Sequence, residues 1–184
     1  MKLKLAIISA AVTTTLMASS ALAADGTINF EGALTANTCD ITVDGKPSPA
    51  TVTLPTVTAS ALLGEGATAG DTLFKIVLTN CEGVSGSSTA AAFFEAGSTV
   101  DNKTFNLINT DLSDDGAKNV QLQLLDAENQ SPINVGFSNQ KGKSTRHSIA
   151  SEQAEMPYTV RYYSLGSASA GLVQSQVNFS IDYE

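Results

Sequence analysis

Apolar and polar residues alternate through residues 25–34, where Ile28, Phe30 and Leu34 keep two-residue spacing and Gly32 fills the remaining slot. A period of two is the pattern of a strand with one buried face. The same period is clearest in residues 173–183: Val173, Ser175, Val177, Phe179, Ile181 and Tyr183 alternate with Gln174, Gln176, Asn178, Ser180 and Asp182. Residues 73–80 set Phe74, Ile76 and Leu78 on one side and Leu73, Val77 and Thr79, around Lys75, on the other. Both rows are largely apolar, which predicts a central strand buried on two faces. Residues 120–125 place Val120, Leu122 and Leu124 opposite Gln121 and Gln123, and Tyr158, Val160 and Tyr162 alternate with Thr159, Arg161 and Tyr163. Shorter apolar runs at 41–43, 51–54, 90–94 and 133–137 add candidate strands.

Turn residues punctuate these runs at Asp44-Gly45, 64–70, 83–88, Asp114-Asp115-Gly116, 139–142 and 166–171. Many short strands at this spacing predict an all-β, antiparallel sandwich with Greek-key connections. Residues 59–63 have room for a single helical turn. The last strand has a wet face and a dry face up to Tyr183, where an immunoglobulin-type sandwich would ordinarily carry a further strand. If none follows, that strand borders a gap with bare backbone groups and exposed core.

Residues 1–23 change the picture of where this sandwich works. Lys2 and Lys4 precede an apolar run broken by Thr13–Thr15, and Ala21-Leu22-Ala23 fits the small-x-small rule for signal-peptidase cleavage. Cleavage would leave 161 residues, one domain in size, and move the formal charge from −8 to about −10. An acidic chain argues against nucleic acid as a partner, since phosphate binding needs clustered Lys and Arg. After export only Cys39 and Cys81 remain, and a single histidine, His147, gives a metal site too few ligands. A structural disulfide is the expected state. Closing a loop of about 43 residues would stabilise the fold by about 4 kcal/mol on the chain-entropy account.

These residues resemble the pilin subunits of the chaperone–usher pathway, most closely major subunits of type 1-like fimbriae. The likeness rests on the signal, Phe30-Glu31-Gly32, Asn37-Thr38-Cys39, Leu78-Thr79-Asn80-Cys81, Met156-Pro157-Tyr158, Arg161-Tyr162-Tyr163, Gly171 and the penultimate Tyr183. It implies an incomplete immunoglobulin-like sandwich lacking its last strand, completed by a donor strand from another subunit. On that resemblance residues 1–23 are the signal peptide, 24–36 the N-terminal donor extension and 37–184 the pilin domain. Ile28, Phe30, Gly32 and Leu34 would be the donor residues. Gly171, Val173, Val177, Phe179, Ile181, Tyr183 and Glu184 would form the groove edge and chaperone-binding strand. The implied function is a structural subunit of a bacterial surface fimbria that polymerises head-to-tail by donor-strand exchange and supports adhesion. A minor adaptor pilin near the fimbrial tip is the alternative. The implied partners are identical or related pilins, a periplasmic chaperone and an outer-membrane usher, with export through the periplasm to the cell surface.

Chemistry of other kinds finds little footing. There is no Gly-x-Ser-x-Gly elbow, and His147 sits in the polar stretch 141–148, which reads as a solvated loop. Asp114-Asp115 flanks Gly116, where a turn is the ordinary explanation. No catalytic residue, metal ligand, cofactor or small-molecule substrate is assigned. Asn102-Lys103-Thr104 and Asn178-Phe179-Ser180 match the glycosylation pattern by chance in a chain of bacterial resemblance.

Overall fold

The computed structural model describes residues 38–83 and 88–184, all within the compact unit Thr35–Glu184. The expected signal and the donor residues Ile28, Phe30, Gly32 and Leu34 lie outside the described residues.

The chain opens with β1 (Thr38–Val43), which turns through Asp44 and Gly45, both at positive φ, into the short β2 (Lys46–Pro47). Asp-Gly suits this two-residue turn because glycine takes the left-handed conformation freely and Asp tolerates it. After a 3-10 turn at Ala59–Leu62 comes β3 (Glu65–Glu82), 18 residues long. Then follow β4 (Thr89–Phe94), β5 (Leu107–Ile108), β6 (Val120–Asp126) and a 3-10 turn at Ser138–Gly142. The last elements are β7 (His147–Ser148), β8 (Ala154–Leu165) and β9 (Phe179–Tyr183).

Two antiparallel sheets result, one ordered β2-β1-β3-β8-β6-β5 and one ordered β7-β4-β9. Their facing sides enclose a single main core. Phe74, Ile76 and Leu78 of β3, Leu122 and Leu124 of β6, and Met156, Tyr158 and Val160 of β8 meet Ala90, Ala92 and Phe94 of β4 there. The alanines let the sheets approach, and the ring of Phe94 stands edge-on to that of Tyr158 with centroids 5.1 Å apart. The Tyr158 hydroxyl accepts the Ala92 N–H at 2.8 Å, and burial pushes that phenol up to about 12. The molecule is an all-β, immunoglobulin-like sandwich.

Cys39 and Cys81 are bonded, with Cα atoms 4.1 Å apart. The bridge lies where the β1–β3 register shifts between Thr38↔Glu82 and Asp40↔Thr79, so it staples β1 to β3 across that irregularity.

Several elements depart from the pattern-based expectations. The outward row of β3 is not buried, and Leu73 is 58% exposed; only the Phe74–Ile76–Leu78 row is core. By contrast β6 is buried on both faces, because Gln121 and Gln123 carry partners with them. Gln123 accepts two hydrogen bonds from Arg161, and Gln121 accepts from Thr104 and Asn106. Residues 133–137 are irregular rather than a strand, although Ile133 and Val135 are buried. His147 lies in β7 opposite Ala90, with its Nδ1 3.7 Å from the Glu128 carboxylate, not in a solvated loop.

Candidate docking groove

The alternation at residues 173–183 becomes a division of labour in the backbone. Leu172 donates its N–H to the Asp115 carbonyl at 2.7 Å and accepts from Ala117 at 2.9 Å. The Gln174 carbonyl accepts from Thr110, the Asn178 carbonyl from Glu95, and Glu184 exchanges two bonds with Thr89. Between them β9 runs along β4 from Phe94↔Phe179 to Ala90↔Tyr183. The even-numbered residues therefore turn their main-chain groups toward β4 and the loops that extend it. In an extended chain successive residues point opposite ways, so the odd-numbered ones face the other side. Among the described residues no strand pairs with β9 there.

Side chains follow the same parity. Residues 173–181 alternate between half-buried and exposed, and Val173, Val177, Phe179, Ile181 and Tyr183 touch the core without being covered by it. Across the gap lie residues 50–57, which form no strand among the described residues, contrary to the expectation for 51–54, and turn Val52, Leu54 and Val57 inward. The Tyr162 hydroxyl donates to the Pro55 carbonyl at 3.2 Å and ties this wall to β8.

Two clefts lie between these walls, the smaller mainly apolar and the larger of mixed lining. One, of about 220 Å³, has Phe74, Phe94, Leu122 and Val160 in its lining and reaches from Val52 and Leu54 to Val177 and Phe179. The other, of about 350 Å³, is lined by Val57, Leu62, Val120, Tyr162, Ala168 and Val173, among others. An apolar floor between edges with unpaired backbone is the form of a site that receives an extended strand. Gly171 starts the open edge at φ 153°, and a Cβ there would strike the backbone of residues 115–117. Only glycine lets the chain pass so close.

Of the residues expected at the groove edge, Gly171, Val173, Val177 and Phe179 line the clefts. Ile181 and Tyr183 continue the same row beyond them. Glu184 falls on the other parity: its main chain pairs with Thr89, and its carboxylate lies 3.1 Å from Arg146 Nε. The opposite wall, with Val52, Leu54, Val57 and Tyr162, was not assigned from sequence. Its alternation is visible, but a sequence does not tell which edge it faces.

Charge fixes the far end of β9. Arg146 Nη1 lies 2.9 Å from Asp182 Oδ2, its Nη2 donates to the Asp182 carbonyl at 3.0 Å, and Lys141 Nζ lies 2.9 Å from Asp182 Oδ1. Burial pushes the Asp182 carboxyl up, but the hydrogen bonds and charges of Lys141 and Arg146 outweigh it and hold the group below its ordinary 3.8. Asp126 behaves alike: burial raises it, while N–H donors of Thr145, Asn129 and Glu128 bring it below 3.8. A depressed folded pKa gives stability that is present above the unfolded value and lost as pH falls through the folded one. The unfolding free energy should therefore stay level down to about pH 4 and then decline. Asp182→Asn should flatten part of that decline in denaturant titrations run at stepped pH; an unchanged slope would count against the pairing.

A family model described as type-1 fimbrial protein, A, matches residues 54–184. The F17 fimbrial protein of Escherichia coli is 38% identical over 168 residues, covering 90% of this chain and 91% of the relative. The major fimbrial subunit SMF-1 of Stenotrophomonas maltophilia is 41% identical over 167 residues, covering 89% and 95%. Among solved structures, the P pilus rod subunit PapA superposes with a TM-score of 0.58 at 15% identity, over 79% of this chain and 99% of that one. That last likeness is one of fold.

Proposed function

The chain belongs to the type-1 fimbrial protein family and is a structural fimbrial subunit, and from that premise we propose that its groove receives residues 25–34 of another copy. Residues 1–23 serve as the export signal, 24–36 as the donor extension and 37–184 as the acceptor domain. The observation that carries this reading is the row of odd-numbered residues from Val173 onward, half-covered and, among the described residues, unpaired along the two clefts. A strand with Ile28, Phe30 and Leu34 on one face supplies what that row lacks. Burying the three side chains contributes about 1.5–3 kcal/mol each, and each new ladder hydrogen bond about 0.5–1.5 kcal/mol.

Donor and acceptor occupy different parts of the subunit, so the contact is head-to-tail and does not close on itself. A filament follows. Before assembly the same open edge invites aggregation, which supports a periplasmic chaperone that covers it and an outer-membrane usher that passes subunits to the cell surface. There the filament supports adhesion. The likeness to a protein named as a major fimbrial subunit supports a place in the shaft.

A chain lacking residues 24–36 should be complemented by a peptide of that segment. At a thousandfold excess over Kd the peptide should stabilise by about 4 kcal/mol, roughly 10 °C in Tm for a domain of this size. A peptide with no effect on the melting curve would remove the reading.

A further inference from the structure

The dry row of the open edge contains one polar residue. Ser175 lines the smaller cleft among Val177, Phe179, Phe94 and Leu124, and its hydroxyl oxygen is buried with no hydrogen-bond partner among the described residues. A buried hydroxyl left unpaired is costly, and replacement of such a group by a methyl is ordinarily neutral or better. The position makes sense when the missing partner arrives with the strand that fills the groove.

The donor row also contains one exception: Gly32, among Ile28, Phe30 and Leu34. We propose that Ser175 sets the register of the incoming strand by donating its hydroxyl to the main-chain carbonyl at Gly32 of the neighbouring copy. This rests on the donor-strand reading above and goes beyond it to the residue that fixes alignment. Ile, Phe or Leu beside Ser175 would screen the backbone with a bulky side chain and leave the hydroxyl unsatisfied. Glycine has no Cβ, so its carbonyl is open to a side chain from the adjacent strand.

The alignment also distributes the apolar side chains. Phe30 and Leu34 flank Gly32 at two residues, as Val173 and Val177 flank Ser175. In either strand direction, one of the two donors falls beside Val173 in the larger cleft and the other beside Val177 in the smaller. A slip by two residues would put a bulky donor on the hydroxyl and glycine against an apolar cleft. A slip by one would turn the whole apolar face out of the groove.

The test uses filaments of the full chain and the unassembled full chain side by side. Ser175→Ala should let subunits dissociate about tenfold faster, the loss of one hydrogen bond. In the unassembled chain the same change should leave the unfolding midpoint equal or slightly raised. A purely structural serine would move both measurements the same way, and an Ser175→Ala chain that fails to fold would overturn the proposal. Gly32→Ser should impair assembly, and adding Ser175→Gly should restore it by moving the side chain from one wall to the other. Unchanged dissociation for Ser175→Ala, or no rescue by the exchange, would overturn the register. Deletion of residues 25–34 separates the two levels. Filaments that persist without the segment dismiss the donor reading itself, whereas filaments lost on deletion but indifferent to Ser175 dismiss only the register.

Discussion

Cells producing Gly32→Arg should carry no filaments, while the subunit accumulates folded in the periplasm. The core around Tyr158 and the disulfide are both built from residues of the unit Thr35–Glu184, and the proposed work of residue 32 is done in another copy. Its role as proposed is to lie against the groove, where the floor is Phe74, Phe94 and Leu122 and no carboxylate lines the cleft to pair with a guanidinium. Bringing that charge into an apolar cleft costs at least ~3 kcal/mol, enough to reduce assembly at least ~100-fold. Electron microscopy of the cell surface reads the loss, and thermal melting of the purified subunit reads the retained fold. Ordinary filaments from Gly32→Arg would make residues 25–34 something other than the donor.

Phe179→Asp should fail earlier, at the subunit itself. Phe179 opens β9, and its ring centroid lies 6.5 Å from that of Phe94, which in turn packs edge-on against Tyr158. Replacement removes an aromatic link between β9 and the core and places a carboxylate in the smaller cleft. The combined loss is about 3 kcal/mol or more, against a total stability for domains of this kind of about 5–15 kcal/mol. Periplasmic yield should collapse through degradation or aggregation. Gln174→Asp, on the exposed row of the same segment, should be tolerated within about 0.5 kcal/mol. Equal yields for the two variants would show that the parity of this segment does not govern its burial.

That parity was legible in the sequence because every second residue from Val173 to Tyr183 except Ser175 is apolar or aromatic, the period of an extended chain covered on one side, although only Phe179–Tyr183 of it forms a ladder. The strands β3, β6 and β8, the Asp44-Gly45 turn and the pairing of Cys39 with Cys81 were legible for similar local reasons. Leu73 misled, since an apolar outer row looks like core until the partner layer is known to lie on one side only. Residues 133–137 misled differently. They are apolar because they plug the end of the core, but Gly136 is held at positive φ against Ala96 and breaks any strand. Gln140 was hidden in a stretch that reads as polar loop. It is buried because its amide acts as a substitute strand, accepting the Phe94 N–H and donating to the Phe94 carbonyl, each at 2.9 Å. The inner wall at residues 50–57 depends on contacts distant in sequence, which no local period encodes.

The position of the disulfide has a mechanical meaning. On the proposed donor-strand assembly, pull on a donor extension would enter the body of the subunit that carries it at residue 37, one residue before β1. The start of β1, which pairs with β3 alone, would peel from it one rung at a time if loaded at its end. Cys39 intercepts the load within two residues and hands it through a covalent bond to Cys81 on β3, the longest strand, which is flanked on both sides. Force would thereby be carried along the middle of the large sheet in shear, with many rungs sharing it at once. The bridge that closes a loop in the folding subunit would become, in a fibre assembled as proposed, the coupling that keeps each link from unravelling.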